Sequence, residues 1–393
     1  MGSEKSSRLY SYHEMTTYRI KYYLKICWIF CLLALLLGCA NTTSGVIPKA
    51  SEFSIRAEPW PEADKLFRSD PHWLGSDDAY SIDLGNGRIL WLFGDTFINP
   101  EGSGNRSDST LVRNSVAIQQ GYNPSLASIR FYWSTQKDRK PASFFHGSEG
   151  IWFWPGGGIC IDGKLFIFLM KICETHTGFR FDVTGWTAVM IENPHAFPSE
   201  WKIRRLETPK NRYNVIIGSA SVIQKDHFVF AFGTDSKTHH VYVVRWPISS
   251  FLDGDLMTPQ WWMGTSGGWM KEPLLNNKPV PLFSKGQMEF TVHYSPLLKQ
   301  FLQVQTGSFQ DPRMAFRVAT DITGPWSCLH NFYKPMEAGQ PNLIIYAGKS
   351  HPELVGADIV FTYAVNSTDY GQLLRDHRIY YPVFLKGHIK IER

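Results

Sequence analysis

A chain of 393 residues is long enough for two or three average domains, but all-β propellers and barrels reach this length as one unit, so length sets no boundary. Aromatic residues make up 15% of it and include 14 Trp, more than a core needs; flat rings with polar tips suit strand packing and also stack on sugar rings. The net charge of +5 falls to +2 without residues 1–38, which hold five of the 40 basic and two of the 35 acidic residues. No basic stripe remains to attract nucleic acid.

The first element in chain order is an export segment. Arg19, Lys21 and Lys25 precede an apolar run from Ile26 to Leu37. A charged region, a short apolar region and a small residue at the end describe a secretory signal. The run is shorter than the roughly 20 residues that a spanning helix needs. Its ending, Leu36-Leu37-Gly38-Cys39, resembles the bacterial lipobox. The resemblance implies cleavage before Cys39, acylation of its thiol and a lipid anchor in the outer or cytoplasmic membrane of a bacterial cell envelope. Residues 1–38 are therefore expected to be a signal peptide and residues 39–58, small and polar, a flexible tether.

Cys160, Cys173 and Cys328 follow. An odd count excludes a complete disulfide framework and predicts buried thiols. No Cys/His spacing suggests a metal site; no cofactor is implied, and a cation on the axis of the fold is not predicted.

Residues 59–393 repeat one grammar: a small or acidic opening, a strand, a tight turn and a very apolar strand. The clearest copies are 78–84 with 88–94 around Gly85-Asn86-Gly87, 157–161 with 164–169 around Asp162-Gly163, and 218–223 with 227–233 around Gln224-Lys225-Asp226. Weaker copies are 289–294 with 300–305 and a single strand at 358–364. Period-2 alternation between Gly, Asn and Asp turns is the hairpin signal, and no long 3.6 periodicity interrupts it. Five openings at long spacing predict an all-β, five-bladed β-propeller, monomeric, in which radial repetition removes free sheet edges. A β-sandwich would use similar strands but has no need of five recurring openings.

In a propeller the innermost strands converge on one funnel, so residues at equivalent openings meet. Here the openings carry Asp77 and Asp78, Glu149, Glu289 and Asp358, and Asp95 ends the second strand of the first hairpin. Asp77 and Asp95 are thereby close in space, a paired-carboxylate arrangement. Glycoside hydrolysis needs one neutral and one ionised carboxyl group, and two acids crowded in a partly dry funnel separate their pKa values. The bland alternative is that Asp77 caps a turn and Asp95 binds backbone amides.

Residues 73–81, 87–97 with Gly94-Asp95-Thr96-Phe97, and Arg113-Asn114-Ser115-Val116 resemble a group of exported bacterial propeller families. Trp154-Pro155-Gly156-Gly157-Gly158 and Tyr380-Tyr381-Pro382 are also similar. Many members are domains of unknown function, and one branch is endo-D-arabinofuranosidases that cut mycobacterial-type arabinan. The resemblance implies a glycosidase-like propeller with Asp77 and Asp95 as its acid/base pair. Asp78 stands where related sequences tend to have Gly, which leaves open which of the adjacent acids faces the funnel.

Further candidates for substrate binding are Trp152 and Trp154, which follow Glu149 and suit stacking on a sugar, and Asn114 beside Arg113. His293 shares a strand face with Thr291 and Glu289 by alternation. The expected function is an envelope-anchored hydrolase of a furanose-containing, arabinan-like polysaccharide. The alternatives are a glycan-binding propeller lipoprotein without turnover, and a structural partner in an envelope complex, which would expose an apolar face instead of an acidic funnel.

Overall fold

The structure is a computed structural model that describes residues 52–176, 180–271 and 278–392. The expected signal segment 1–38, Cys39 and the expected tether as far as residue 51 lie outside the described residues. No helix among the described residues is long and apolar enough to cross a membrane.

Five large antiparallel sheets follow one another along the chain among the described residues. Their first strands are Tyr80–Gly85, Ile151–Ile161, Val215–Lys225, Thr291–Ser295 and Leu343–His351. Each sheet is a meander of four strands, with a fifth, Trp269–Lys271, added to the third sheet. The last sheet takes its outermost strand from the start of the fold: Phe53–Pro59 pairs with Val383–Ile391, from Phe53 opposite Ile391 to Pro59 opposite Leu385. Residues 53–58, expected to end the tether, are therefore a strand. Phe53 and Ile55 alternate inward between exposed or half-buried neighbours, the pattern of a strand with one wet face.

The cores lie between sheets. Five apolar clusters fill the gaps between the first and second, second and third, third and fourth, fourth and fifth, and fifth and first sheets. Polar links join the inner strands around the same circuit. Val292 N donates to Ser221 Oγ at 2.6 Å, Thr291 and Ser350 hydroxyls lie 2.8 Å apart, and Ser81 Oγ lies 2.5 Å from His351 Nδ1. This closed ring of sheets is the all-β propeller arrangement that the hairpins predicted.

Glycines set how closely the second and third sheets approach. A Cβ on Gly157 would lie 1.9 Å from the carbonyl oxygen of Ala220, a backbone atom that no rotamer change can move. Gly157→Ala must push the two inner strands apart, and an overpacking cost of about 3 kcal/mol is expected. Urea unfolding checks it: the midpoint falls if the approach is required and stays put if the strands can part freely.

The strand Leu343–His351 corrects the fifth opening. Asp358 heads the second strand of its sheet, not the first, and sits at the rim, where it accepts from Ile389 N at 3.0 Å. The inner strand is hidden in the sequence because Gly348-Lys349-Ser350-His351 interrupts its apolar pattern. Of the cysteines, Cys160 and Cys173 are half-buried thiols and Cys328 is exposed, so the expected burial is only partial.

Candidate active site

Two strand ends bring the first pair of carboxyl groups together. Trp73–Ser76, Thr96–Ile98 and Thr110–Val112 form a small sheet in front of the first large one. The ladder runs on between the two: Asp77 N donates to Asp95 O at 2.9 Å, and Gly94 N donates to Asp77 O at 2.9 Å. Gly94 suits this crowding, since a Cβ there would come within 3.3 Å of Asp77 Cβ and 3.8 Å of the Trp154 indole. Thr96 donates to Gly94 O at 2.8 Å and bonds Ser115 Oγ at 2.9 Å. The Gly-Asp-Thr segment thus holds its aspartate by backbone and hydroxyl anchors on either side.

The Asp95 carboxylate is fixed at both oxygens. Trp154 Nε1 donates to Oδ1 at 2.7 Å, and Arg113 Nη1 donates to Oδ2 at 2.9 Å. Arg113 also lies over the Trp152 ring, 4.4 Å from its centroid, with 42% of its side chain exposed. Burial raises the pKa of Asp95, while the Arg113 charge and the bonds from Trp154 and Arg113 oppose that rise; the balance is upward from the usual value.

Asp77 accepts from the Tyr346 hydroxyl, from Asn366 Nδ2 at 3.2 Å, and from Tyr380. Burial, followed by the Asp95 charge, pushes its pKa well above the carboxylate range. The same Tyr380 hydroxyl lies 3.0 Å from Asp95 O, so its one proton is shared between the two acceptors. The segment that carries Tyr380 is held by Arg106, itself 1% exposed. Its guanidinium donates to the carbonyls of Leu74 at 2.8 Å, Leu373 at 2.8 Å, Asp376 at 3.0 Å and Ile379 at 2.6 Å.

Asp78 turns the other way. Its φ of 60° is a left-handed conformation that Asp tolerates better than most residues, and its carboxylate pairs with Lys349, whose side chain is 0% exposed. Lys349 Nζ lies 4.1 Å from the centroid of the Tyr80 ring, and the Tyr80 hydroxyl donates to Ser219 O at 2.5 Å. Together they span the axis. Glu289 bonds to Asp78; burial and then the Asp78 charge drive its pKa well up, against the pull of Lys349. Asp77 therefore belongs with Asp95, and Asp78 with Glu289 and Lys349.

A β-bulge aims the two partners from the fifth sheet. Tyr346 pairs with Ala364 and Lys349 with Thr362, so one extra residue lies between them on the inner strand. Residues three apart in a regular strand face opposite sides; the bulge puts Tyr346 and Lys349 on one face. Ala347, at φ 53°, sits in that kink. Neither residue was a candidate from the sequence, because a bulge leaves no period-2 signature.

Three candidates fall elsewhere. Glu149 is exposed in the tight turn between Ser148 and Ile151, where Ser148 N donates to Ile151 O at 3.0 Å. Asn114 is 0% exposed and spends its amide on the backbone, donating to Phe145 O at 3.1 Å and Phe153 O at 2.9 Å and accepting from Phe145 N at 2.7 Å; it joins the first two sheets and is not free for substrate. His293 lies beyond Lys349, lining an axial cavity of about 260 Å³ with Ser81, Ser221, Thr291, Ser350 and Glu353. Its Nδ1 is 3.1 Å from Ser350 Oγ, and burial lowers its pKa to about 4, which keeps the imidazole neutral. Among the described residues no group of three or more His, Cys, Asp or Glu side chains is arranged to hold a metal ion.

A family model described as "Domain of unknown function (DUF5005)" matches residues 62–387. Among curated proteins none matches the chain. Of solved structures, a protein described as a candidate hydrolase from Bacteroides ovatus superimposes with a TM-score of 0.66 at 12% identity, covering 88% of this chain and 97% of its own. A xylan β-1,4-xylosidase from Bacillus halodurans gives a TM-score of 0.43 at 10% identity, over 82% of this chain and 53% of its own. An exo-1,5-α-L-arabinanase from a bovine ruminal metagenomic library gives 0.42 at 10% identity, over 81% and 94%. The likeness to the Bacteroides protein is one of fold.

Proposed function

This chain belongs to the DUF5005 family, and from the site its fold assembles we propose that it is a glycoside hydrolase that works with the Asp77–Asp95 pair. The observation that carries the reading is the unequal treatment of two adjacent acids. Asp77, driven strongly toward its neutral form, supplies the proton to the leaving oxygen. Asp95, whose pKa burial raises but whose charge Arg113 and the Trp154 indole N–H stabilise against that rise, activates water or attacks carbon in its ionised form. Trp152 and Trp154, both half-buried beside Asp95, give a sugar ring a flat face. Lys349 offsets the charge of the Asp78–Glu289 pair behind them.

In this reading each of the five sheets is a blade. The substrate is a furanose-containing, arabinan-like polysaccharide, in keeping with the Gly-Asp-Thr-Phe resemblance. A chain acylated at Cys39 acts as a monomer on the surface of the envelope. The three hydrogen bonds onto Asp77 favour a second reading, in which that carboxyl group is locked and the funnel binds glycan without cleaving it. Incubating the protein with arabinans, galactans and xylans separates the two. New reducing ends from a furanose polymer support hydrolysis, saturable binding without product supports the second reading, and neither outcome on any polymer rejects both.

The pH profile gives a sharper check on Asp95. Activity requires its ionised form, and the Arg113 charge holds its pKa down against burial. Arg113→Gln removes that restraint, so the acidic limb of kcat/KM moves to higher pH. A limb that stays in place would detach Asp95 from the reaction.

A further inference from the structure

A second aromatic groove, of about 310 Å³, opens where the turn after Val215–Lys225 meets the loop Asp321–Thr323 of the fourth sheet. The inner strands run away from the carboxyl groups toward this end, since Asp78 precedes Tyr80–Gly85 and Glu289 precedes Thr291–Ser295, whereas Lys225 ends its strand. The groove is therefore separate from the candidate active site. Phe228, Phe230, Trp262 and Trp269 line it, and both indoles are half-buried.

Its centre is Arg245. The guanidinium lies between two rings, 3.8 Å from the Phe228 centroid and 4.3 Å from that of Trp269, and Nε donates to Gln260 Oε1 at 2.8 Å. Among the described residues Nη1 and Nη2 have no acceptor and no carboxylate pairs with this cation. Burial lowers its pKa with nothing to oppose it. Lys225, the other cation lining the groove, differs: it already lies 3.1 Å from Asp226 and 3.6 Å from Asp321. A partly desolvated guanidinium with no carboxylate partner among the described residues is suited to an anionic ligand. Stacking between rings contributes to packing on its own, but it leaves two oriented donors unused at the wall of an open groove.

We propose that this groove binds an acidic saccharide, with the carboxylate of a uronic acid taken bidentately by Arg245 and the ring's C–H face set on Trp262. Two parallel N–H donors in a fixed plane match a carboxylate, and an indole face matches a sugar ring. Asp226, Asp321 and Thr323 at the rim offer acceptors for sugar hydroxyls. The same two aspartates repel the additional charges of an acidic peptide, which is why a saccharide is the better fit. The proposal stands whether or not the Asp77–Asp95 pair cleaves a glycan.

The test is a titration of the whole protein, followed by the indole N–H resonances of Trp262 and Trp269, with a glucuronate-bearing xylotetraose, neutral xylotetraose and hexaglutamate. The acidic saccharide is expected to shift both resonances to saturation. Arg245→Lys and Trp262→Ala each weaken it about tenfold or more, and Asp95→Asn leaves it unchanged. Thr323→Trp, which fills the groove from the fourth sheet and leaves Arg245 in place, also abolishes the shifts, so the result does not depend on Arg245→Lys folding well. Equal binding of the neutral saccharide, preferential binding of the peptide, undiminished binding by Arg245→Lys, or no shift with any of the three overturns the proposal.

Discussion

Asp95→Asn is expected to lower kcat/KM on the polysaccharide by about a thousandfold, the size of loss that follows removal of a positioned acid or base. The asparagine keeps the shape and still meets Trp154, but it cannot take a proton or attack carbon. Asp77→Asn is expected to cost about as much on the polysaccharide, with a difference that identifies its role. A nitrophenyl glycoside leaves without needing a proton, so Asp77→Asn should keep most of its activity on that substrate while Asp95→Asn stays inactive on both. Parallel losses by the two variants on both substrates would mean that the residues do not divide the work as acid and base.

The second large effect concerns Lys349. A fully buried lysine survives because Asp78 balances it and the Tyr80 ring lies beneath its ammonium group. Lys349→Met strands Asp78 and Glu289 together in a dry site, and breaking one side of a buried ion pair costs about 3 to 5 kcal/mol. A urea midpoint that falls accordingly supports this. Asp78→Asn combined with Lys349→Met should recover much of the loss, since Asn tolerates the left-handed backbone at that position and no charge is left unpaired. A double variant as unstable as Lys349→Met would show that the lysine acts through packing rather than through its partner.

What the sequence disclosed was local. Gly85-Asn86-Gly87 marks the first hairpin by its turn chemistry; all three residues have positive φ, and the pairing of Tyr80 with Leu92 brings Asp77 beside Asp95 as alternation predicts. The hairpins of the second and third sheets were legible for the same reason. What stayed hidden depends on distant partners. Phe53–Pro59 reads as a short amphipathic strand, but nothing local says that its partner lies at residues 383–391. Tyr346 and Lys349 reach the site through a bulge in a strand whose polar run conceals it. Asn114 looked like a ligand for sugar hydroxyls because a buried amide that joins two sheets and an amide that waits for substrate are spelled the same way. Glu149 sits beside two funnel tryptophans in sequence, yet the tight turn that carries it points outward into solvent.

The account rests on a proton that stays on Asp77 while Asp95 is ionised a few atoms away. Carbon-13 NMR of the aspartate carboxyl groups in the full-length protein, assigned with the two Asn variants, reads this directly. At neutral pH the Asp77 signal should be that of a carboxylic acid and the Asp95 signal that of a carboxylate. Two carboxylates, titrating together in the ordinary range for exposed aspartates, would contradict the account.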